Sequence, residues 1–384
     1  MGLRAVTVIL NSNHTKRFAV LLSETDATIL HEILRQARNK FRIKALAHVF
    51  LLGGTELHSD QCLPFDCTRV WIGKGEDYTG PSSPEGRRTD LPGETKVMAD
   101  ASHVDSEAKK QLEALTLLPG VQRAVGMPDL HPGTRFPIGC AVVADCIYPA
   151  LVGSDIGCGV ALYVVASRRK LTPARLATKL VGLDATWDGD SRAWLAKYGL
   201  DESMPTDDLG TVGAGNHFAE LCDVENVYDV TSTTLQPGML CLLVHSGSRG
   251  LGASILGEQT ANEANPRLIP GTSECDAYLA RHDAAVTWGR ANRDLIAHRI
   301  RGCLFAKDED EEGVPLELTK VADVTHNAVE PRDGLWYHRK GAAPALGDGA
   351  LVPCPGSRGT FSYLLRSVGS GDENGVSDYC SCRQ

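Results

Sequence analysis

The segment Gly153-Ser154-Asp155-Ile156-Gly157-Cys158-Gly159 sets a carboxylate and a thiol in one glycine-rich turn, directly before the apolar run Val160–Val165. Glycines at both ends of this segment favour a tight turn, which leaves the side chains between them little conformational freedom. The turn and the apolar run together predict a strand that begins beside two metal-binding side chains, Asp155 and Cys158.

Three histidines occur in similar turns farther along the chain. His217 ends Gly213-Ala214-Gly215-Asn216-His217, His245 begins His245-Ser246-Gly247-Ser248-Arg249-Gly250, and His326 precedes Asn327. One thiolate, one carboxylate and three imidazoles suffice for two metal ions if the cysteine sulfur bridges them. This donor set suits zinc or manganese-like ions better than calcium or magnesium. The sequence therefore predicts a metal site with five candidate ligands, which are Asp155, Cys158, His217, His245 and His326.

The composition is that of a large protein without a membrane span. With 384 residues and 42% hydrophobic content, the chain can bury one large core and a second domain. No apolar run reaches the roughly 18 residues of a spanning helix, and the charged start Met1-Gly2-Leu3-Arg4 is not a secretion signal. The 12 cysteines follow no regular framework, which indicates reduced thiols and a cytoplasmic or nuclear location.

The net charge of -9 argues mildly against a protein that coats nucleic acid without specificity, because the phosphate backbone favours summed positive charge. Local basic groups can still line one groove of an acidic protein, although solvated charge on helix faces explains the first two of these groups equally well. The groups are Arg168-Arg169-Lys170, the pair Arg299 and Arg301, and Arg339-Lys340. Charge therefore neither requires nor excludes an RNA substrate.

Residues 1–75 predict a small β-grasp domain, because strand, strand, helix, strand and strand follow in that order. The predicted elements are a hairpin of Val6–Leu10 and Phe18–Leu22, a helix from Asp26 to about Phe41, and strands at His48–Leu52 and Val70–Ile72. The pattern resembles ubiquitin-like and doublecortin-like modules, which implies a possible protein partner for this domain.

Residues 76–97 are rich in proline, glycine, serine and charge, so they predict a linker. Residues 98–384 then alternate short apolar runs with glycine and proline, between a helix at Ser106–Leu118 and a long helix at about Ala277–Leu304. This mixture predicts an α+β body without the regular alternation of a barrel. The apolar runs predicted as strands include Ile138–Val143, Val160–Val165, Met239–Val244, Ala350–Val352 and Phe361–Leu365.

Two turns of this body have the chemistry of phosphate sites. Ser246–Gly252 follows an apolar strand with successive backbone amides, two hydroxyls and the Arg249 guanidinium at the expected start of a helix. Pro355–Thr360 repeats that chemistry near the end of the chain. Beside a metal site, these turns suggest a phosphoester or nucleotide substrate.

Seven motifs then occur in a fixed order: Met127–Gly133, Gly153–Gly159, Gly210–Glu220, Val244–Gly250, His326-Asn327, Arg339–Ala342 and Pro355–Ser357. That order is the one seen in the RtcB family of RNA ligases, which the chain resembles over roughly residues 92–384. The resemblance implies an RtcB-like mixed α+β catalytic body preceded by a small β-grasp domain.

Members of that family join an RNA 2',3'-cyclic phosphate or 3'-phosphate end to a 5'-hydroxyl end, using GTP and manganese. The resemblance implies the same reaction here, with tRNA halves or broken RNA ends as substrate and with two Mn(II) ions and GTP as cofactors. It implies that Asp155, Cys158 and His217 hold one ion. It also implies that Cys158, His245 and His326 hold the other.

The resemblance further implies a set of guanylate contacts, in which Glu220 recognises the guanine edge. Arg358 stands where the family turn has a methionine, so it adds a charge beside the nucleotide. The implied contacts are Asn216, His217, Phe218, Ala219, Glu220, His326, Asn327, Pro355, Gly356, Ser357, Arg358 and Ser362.

The end of the chain departs from the family pattern. In the family, a Cys/Ser-rich stretch leads into Ser-His-Gly-Ala-Gly-Arg, whose histidine attacks GTP. Here Asp378-Tyr379-Cys380-Ser381-Cys382 is followed by Arg383-Gln384, so no catalytic nucleophile is assigned and ligation by residues 1–384 alone is disfavoured. The alternatives are an inactive or truncated ligase-fold protein that binds metal or RNA, and a dinuclear metal phosphoesterase.

Four further residues are candidates for supporting roles. Asp129 and His131 are expected either to orient metal ligands or to stabilise their own loop. Arg249 and Lys340 are expected either to contact RNA phosphate or to form surface salt bridges. The sequence does not indicate the natural RNA, the partner or the oligomeric state.

Overall fold

The fold is described from a computed structural model of the chain. The described residues are 3–23, 29–51, 54, 56–57, 69–80, 93–98, 104–166, 178, 180, 182–228, 235–305, 317–344, 349–356, 359–366 and 379–381. Several predicted features lie outside them, namely the helix cap Asp26, the basic group Arg168-Arg169-Lys170, and the guanylate contacts Ser357 and Arg358.

The N-terminal residues form a four-stranded sheet packed against one helix. The elements are β1 Leu3–Leu10, β2 Asn13–Ser23, α1 Ile29–Phe41, β3 His48–Phe50 and β4 Arg69–Gly73. The strand order is β2-β1-β4-β3, with the central pair β1 and β4 parallel and the outer pairs antiparallel. Alternate residues of β1, Val6 and Val8, share one buried core with Ile33 and Ala37 of α1. The order of elements is the predicted one, and the assignment to the β-grasp class stays a prediction.

Both ends of the predicted linker at 76–97 contact folded elements, its residues 81–92 lie outside the described residues, and the linker assignment stays a prediction. Tyr78 packs against Trp71, with ring centroids 5.5 Å apart, and Thr79 N–H donates to Asn11 Oδ1 at 2.9 Å. At the other end, β5 (Glu94–Val97) pairs in parallel with β6 (Val121–His131). Composition does not reveal either contact, because one aromatic ring and a short edge strand need no long apolar run.

The body contains two larger sheets among the described residues. Its further strands are β7 Ile138–Ala144, β8 Gly159–Ala166, β9 Phe218–Asp223, β10 Leu240–Ser246, β11 Glu317–Thr325, β12 Ala328–Arg332, β13 Leu335–Lys340, β14 Ala342–Pro344, β15 Leu351–Cys354, β16 Tyr363–Arg366 and β17 Tyr379–Ser381. One sheet has the order β11-β8-β10-β9 and is antiparallel throughout, and the other has the order β12-β13-β7-β6-β5. Two short pairs, β14 with β17 and β15 with β16, accompany them.

The described helices of the body are α2 Ser106–Leu115, α3 Pro149–Val152, α4 Ser191–Ala196, α5 Gly250–Gln259 and α6 Ser273–Phe305. The long helix α6 packs under the antiparallel sheet, where Ile296 and Ile300 share a core with Tyr163 of β8 and Leu242 of β10. Sheets and helices are mixed, so the fold class is α+β as predicted. The apolar runs expected as strands are confirmed in β7, β8, β10, β15 and β16.

The structure also bears on two predictions from composition, which concern membrane-spanning helices and free thiols. Among the described residues, no helix has the length and apolar character needed to cross a membrane. Free thiols occur at several positions, as expected for reduced cysteines, including Cys140, Cys146, Cys158, Cys241 and Cys275.

Candidate metal centre

Four neighbouring strand ends meet at one edge of the antiparallel sheet. Because neighbouring strands run in opposite directions, β8 and β9 begin at the edge where β10 and β11 end. The candidate ligands stand at these ends: Cys158 directly before β8, His217 directly before β9, His245 next to the last residue of β10, and His326 directly after β11. Sheet geometry therefore brings together residues that are far apart in sequence.

Three buried ligands, Cys158, His245 and His326, form a group that we call the inner triad. Cys158 Sγ lies 3.2 Å from His245 Nε2, and that nitrogen lies 3.3 Å from His326 Nε2. Each of these residues is at most 2% exposed. His245 Nδ1 donates to the carbonyl oxygen of Asn216 at 3.0 Å, which leaves the Nε2 lone pair directed at the centre of the triad.

Asp155, Cys158 and His217 form a second group, which we call the outer triad. His217 Nε2 lies 2.7 Å from Asp155 Oδ2 and 3.4 Å from Cys158 Sγ. The Asp155 side chain is 25% exposed, so this triad lies nearer to solvent. Within each triad the ligand atoms all lie within 4.8 Å of one another. Cys158 belongs to both triads, which is the arrangement that a bridging thiolate requires.

Burial keeps the inner triad neutral in the absence of metal. It raises the pKa of the Cys158 thiol well above its usual range, and the Asp155 carboxylate raises it further. Burial also lowers the pKa of His245 to about 3 and the pKa of His326 well below its usual range. For Asp155, burial opposes ionisation, yet hydrogen bonding from His217 holds the net pKa below its usual range. A metal ion would therefore meet neutral imidazoles and a carboxylate, and would displace the thiol proton.

The donor set fits a pair of divalent cations. Thiolate, imidazole and carboxylate ligands suit borderline ions such as zinc or manganese. In the described part of the chain, the inner and outer triads are the only groups of three or more such side chains that converge. All five residues predicted as metal ligands are thus brought together, and their ligand roles stay a prediction.

The turn before Cys158 packs directly on α6. Gly157 has a φ of +78°, and a Cβ at this position would lie 2.7 Å from Val286 Cα, so the close approach requires glycine. Gly157 N–H donates to the Asn327 carbonyl at 2.8 Å, and His326 N–H donates to the Cys158 carbonyl at 2.8 Å. These main-chain bonds fix the spacing between Cys158 and His326.

Two adjacent polar residues of α6, Asn292 and Arg293, support the centre and were absent from the predictions. Both are 0% exposed. Asn292 Nδ2 donates to Ser246 Oγ at 3.1 Å, and Arg293 donates to main-chain carbonyls of the ligand-bearing turns. The available signal was a polar pair within the apolar face of the predicted long helix.

The guanylate contacts predicted at residues 216–220 lie at the start of β9, beside the outer triad. Phe218 stands 5.4 Å from His245 between ring centroids, and the half-buried Glu220 follows on the same strand. Asn327, also predicted as a contact, bonds to the neighbouring turn: its Nδ2 donates to the Asp155 carbonyl at 3.1 Å, and its guanylate role stays a prediction. Its amide therefore orients the Asp155 turn.

The remaining predicted guanylate contacts lie after β15. Gly356 N–H donates to Ser362 Oγ at 3.0 Å, which closes the turn that begins at Pro355. Leu364 of β16 packs in the same apolar cluster as Phe218. Strand β16, which follows Ser362, and the start of β9 therefore pack together, and the nucleotide role of Pro355, Gly356 and Ser362 stays a prediction.

Of the four residues predicted to have supporting roles, Arg249 lies beside a candidate ligand, and Lys340 and His131 bond to main-chain carbonyls. Arg249 Nη1 lies 3.4 Å from His217 Nδ1, so this guanidinium borders the outer triad. Lys340 Nζ donates to the Phe136 carbonyl at 3.3 Å, and His131 Nδ1 donates to the Asp129 carbonyl at 2.8 Å. Asp129 and His131 thus share a contact at the end of β6, and a role in orienting the metal ligands stays a prediction.

Two arginines of the predicted basic groups, Arg339 and Arg299, bond to the protein's own main chain. Arg339 is 1% exposed, donates to the Thr325 carbonyl at 2.7 Å and pairs with Glu330. Arg299 donates to the Gly182 carbonyl at 2.8 Å. Both side chains therefore bond to the protein's own main chain, which uses part of the donor capacity of each guanidinium.

Comparison with known proteins agrees with the motifs and the site. The family described as tRNA-splicing ligase RtcB matches residues 111–185 and 199–383, which is more than half of the chain. The chain is 39% identical to RNA-splicing ligase RtcB2 of Escherichia coli over 290 residues, covering 71% of each chain. It is 30% identical to RNA-splicing ligase RtcB of Mycobacterium tuberculosis over 349 residues, covering 67% of this chain and 79% of that protein.

A third relative is archaeal. The chain is 28% identical to tRNA-splicing ligase RtcB of Archaeoglobus fulgidus over 355 residues, covering 68% of this chain and 72% of the relative. The matched region contains all five converging ligands. The chain therefore belongs to the RtcB family of RNA ligases.

Proposed function

We propose that this chain joins RNA ends that carry a 2',3'-cyclic phosphate or a 3'-phosphate to ends that carry a 5'-hydroxyl, with GTP and Mn(II) as cofactors. The observation that carries the proposal is the pair of three-ligand groups that share Cys158. Family membership supports the ligase class, and the names of the relatives support tRNA halves or broken RNA ends as substrates.

When bound, two divalent ions would neutralise phosphate charge and orient the attacking and leaving oxygens. The residues around them supply binding and orientation. Arg249 places a guanidinium beside His217 at the more exposed triad, where it can bind an RNA phosphate. Glu220 offers a carboxylate that accepts hydrogen bonds from the guanine edge. Residues 216–220 and 355–362 supply the remaining nucleotide contacts of the proposal.

The test is ligation of a synthetic RNA pair with defined ends by the full chain, in the presence of GTP and Mn(II). Joined RNA is expected, with loss of joining when either cofactor is omitted and in Cys158→Ala. Cys275→Ala is the matched control, since Cys275 is also a buried free thiol but lies outside both triads. No joined RNA from a chain that binds both ions would contradict the proposal.

The same assay separates the two alternatives from ligation. Hydrolysis of the cyclic phosphate without GTP would instead indicate a dinuclear phosphoesterase. RNA binding that survives Cys158→Ala, with no turnover in the parent chain, would indicate a binding protein. Labelled GTP supplies a separate measurement of covalent guanylate on the chain.

We place this activity in the cytoplasm or the nucleus, and we assign partner recruitment to the N-terminal sheet. The free thiols, such as Cys241 and Cys275, support a reducing compartment. Imaging of a tagged full-length chain tests the location: signal confined to a secretory compartment would contradict it.

A further inference from the structure

Arg293 is a fully buried cation at the middle of α6, 0% exposed. Its Nη1 donates to the carbonyl oxygens of Gly157 at 2.8 Å and Ser246 at 2.9 Å. Its Nε donates to Asp323 Oδ1 at 2.9 Å, and its Nη2 lies 2.7 Å from the same oxygen. One guanidinium is thus bonded to three separate segments of the chain.

These three segments carry the three ligands of the inner triad. Gly157 directly precedes Cys158, and Ser246 directly follows His245. Asp323 lies on β11, three residues before His326. Among the described residues, the hydrogen bonds of Arg293 reach neither Asp155 nor the loop of His217.

We propose that Arg293 is a positioning residue that sets the spacing of the three inner ligands. It thereby strengthens metal binding at the inner position and not at the outer one. The inference rests on the proposed two-metal site and names the residue that positions the ligands of its inner ion. It concerns how the ligands are held, so metal binding alone tests it, without GTP or RNA.

The choice of arginine supports this role over simple packing. A buried cation carries a desolvation cost that an apolar residue of similar size would avoid, and neighbours of Arg293 such as Leu295 and Ile296 are apolar and 0% exposed. The planar guanidinium has several donors in fixed directions, so it can bond to two carbonyls and a carboxylate at once. The ammonium of lysine has no such fork.

The experiment compares Arg293→Met with Arg299→Met in the full chain. Arg299 is the control, because it lies on the same helix and also donates to main-chain carbonyls, at Gly182, Leu183 and Gly210, none of which is adjacent in sequence to a candidate ligand. Calorimetric titration with Mn(II) alone gives the number and affinity of the ions. Electron paramagnetic resonance shows whether two bound ions are magnetically coupled through a shared ligand.

We expect the parent chain and Arg299→Met to bind two coupled ions. Arg293→Met should retain the outer ion, while its inner position weakens by roughly 10- to 100-fold, the usual effect of losing a partner behind the metal ligands. The spectrum of Arg293→Met at limiting Mn(II) should then be that of an isolated ion.

Unchanged affinity for both ions in Arg293→Met would overturn the inference and leave the proposed function intact. Failure of the parent chain to bind two ions would instead defeat the proposed function. Loss of both ions in Arg293→Met, with both retained in Arg299→Met, contradicts a selective role. If Arg293→Met does not fold, Arg293→Lys is tested in its place, because lysine keeps the positive charge but lacks the fixed donor geometry of the guanidinium. An unchanged Mn(II) affinity at the inner position of Arg293→Lys overturns the inference.

Discussion

The inner and outer triads share Cys158 and yet are held in different ways. The inner ligands are at most 2% exposed, and a main-chain bond of 2.8 Å from His326 N–H to the Cys158 carbonyl fixes two of them. The outer triad includes a carboxylate that is 25% exposed and contacts His217 side chain to side chain at 2.7 Å. The ligands of the inner triad are therefore held at fixed spacing, and the outer triad is the one that solvent reaches.

This difference indicates a division of labour between two metal positions. Preorganised ligands lose little conformational freedom on binding, so the inner position should hold its ion more tightly. The more open outer position, bordered by Arg249, is the one that an incoming phosphate reaches first. Variants that act on one triad or on both test whether the two positions differ in this way.

The largest effect is expected from Cys158→Ala, because this residue is the only ligand in both triads. Both Mn(II) ions should be lost in calorimetric titration, while the buried control Cys275→Ala keeps both. Retention of two ions by Cys158→Ala would show that the thiol bridges nothing.

Single-triad variants should each remove one ion. His326→Ala removes an inner ligand, and Asp155→Asn removes the charged ligand of the outer triad. Each variant is expected to bind one Mn(II), with the weaker of the two parental affinities missing in Asp155→Asn and the stronger missing in His326→Ala. Identical residual affinities in the two variants would erase the proposed difference between the triads.

A smaller effect, on stability, is expected at the backbone that presents the shared thiol. Gly157→Ala forces a Cβ to within 2.7 Å of Val286 Cα at a φ of +78°. Left-handed strain and overpacking should together lower the free energy of unfolding by roughly 2–5 kcal/mol in urea titration. Gly302→Ala, in open space on α6, is the control and should stabilise by roughly 0.5–1 kcal/mol. Equal free energies of unfolding for the two variants would show that the turn at Gly157 accepts a Cβ without strain.

The smallest effect, per pH unit, is a pH dependence of the metal-free chain. The folded-state pKa of His245 is lowered to about 3 by burial, so between that value and its unfolded value of about 6.5 the unfolded chain binds more protons. Stability should therefore fall on acidification through that window, by up to roughly 1.4 kcal/mol per pH unit for this group. Urea titrations of His245→Gln should show a shallower slope, whereas His31→Gln, at an exposed position of α1, is the surface control. An unchanged slope in His245→Gln would contradict the burial argument.

Much of the fold and the ligand set could be predicted from sequence, because both depend on local signals. Apolar runs predicted β7, β8 and β10, and chelating residue types in glycine-rich or asparagine-flanked turns predicted the five converging ligands. The hairpin of β1 and β2 was predicted for the same reason.

What escaped prediction depends on tertiary contacts. Arg293 and Asn292 look like ordinary polar residues of a helix until the sheet above them places carbonyls within reach. Arg339 looks like a groove-lining cation, but its side chain is buried, donates to the Thr325 carbonyl and pairs with Glu330. The packing of Tyr78 on Trp71 likewise depends on a sheet that composition does not reveal.

The central claim is that one thiolate serves two metal ions at the strand ends. Anomalous scattering from crystals of the full chain grown with Mn(II) tests it most directly. Two anomalous peaks are predicted, one bounded by His245 and His326 and the other by Asp155 and His217, both within coordination distance of Cys158 Sγ. A single peak, or two peaks of which only one contacts Cys158, would contradict the account.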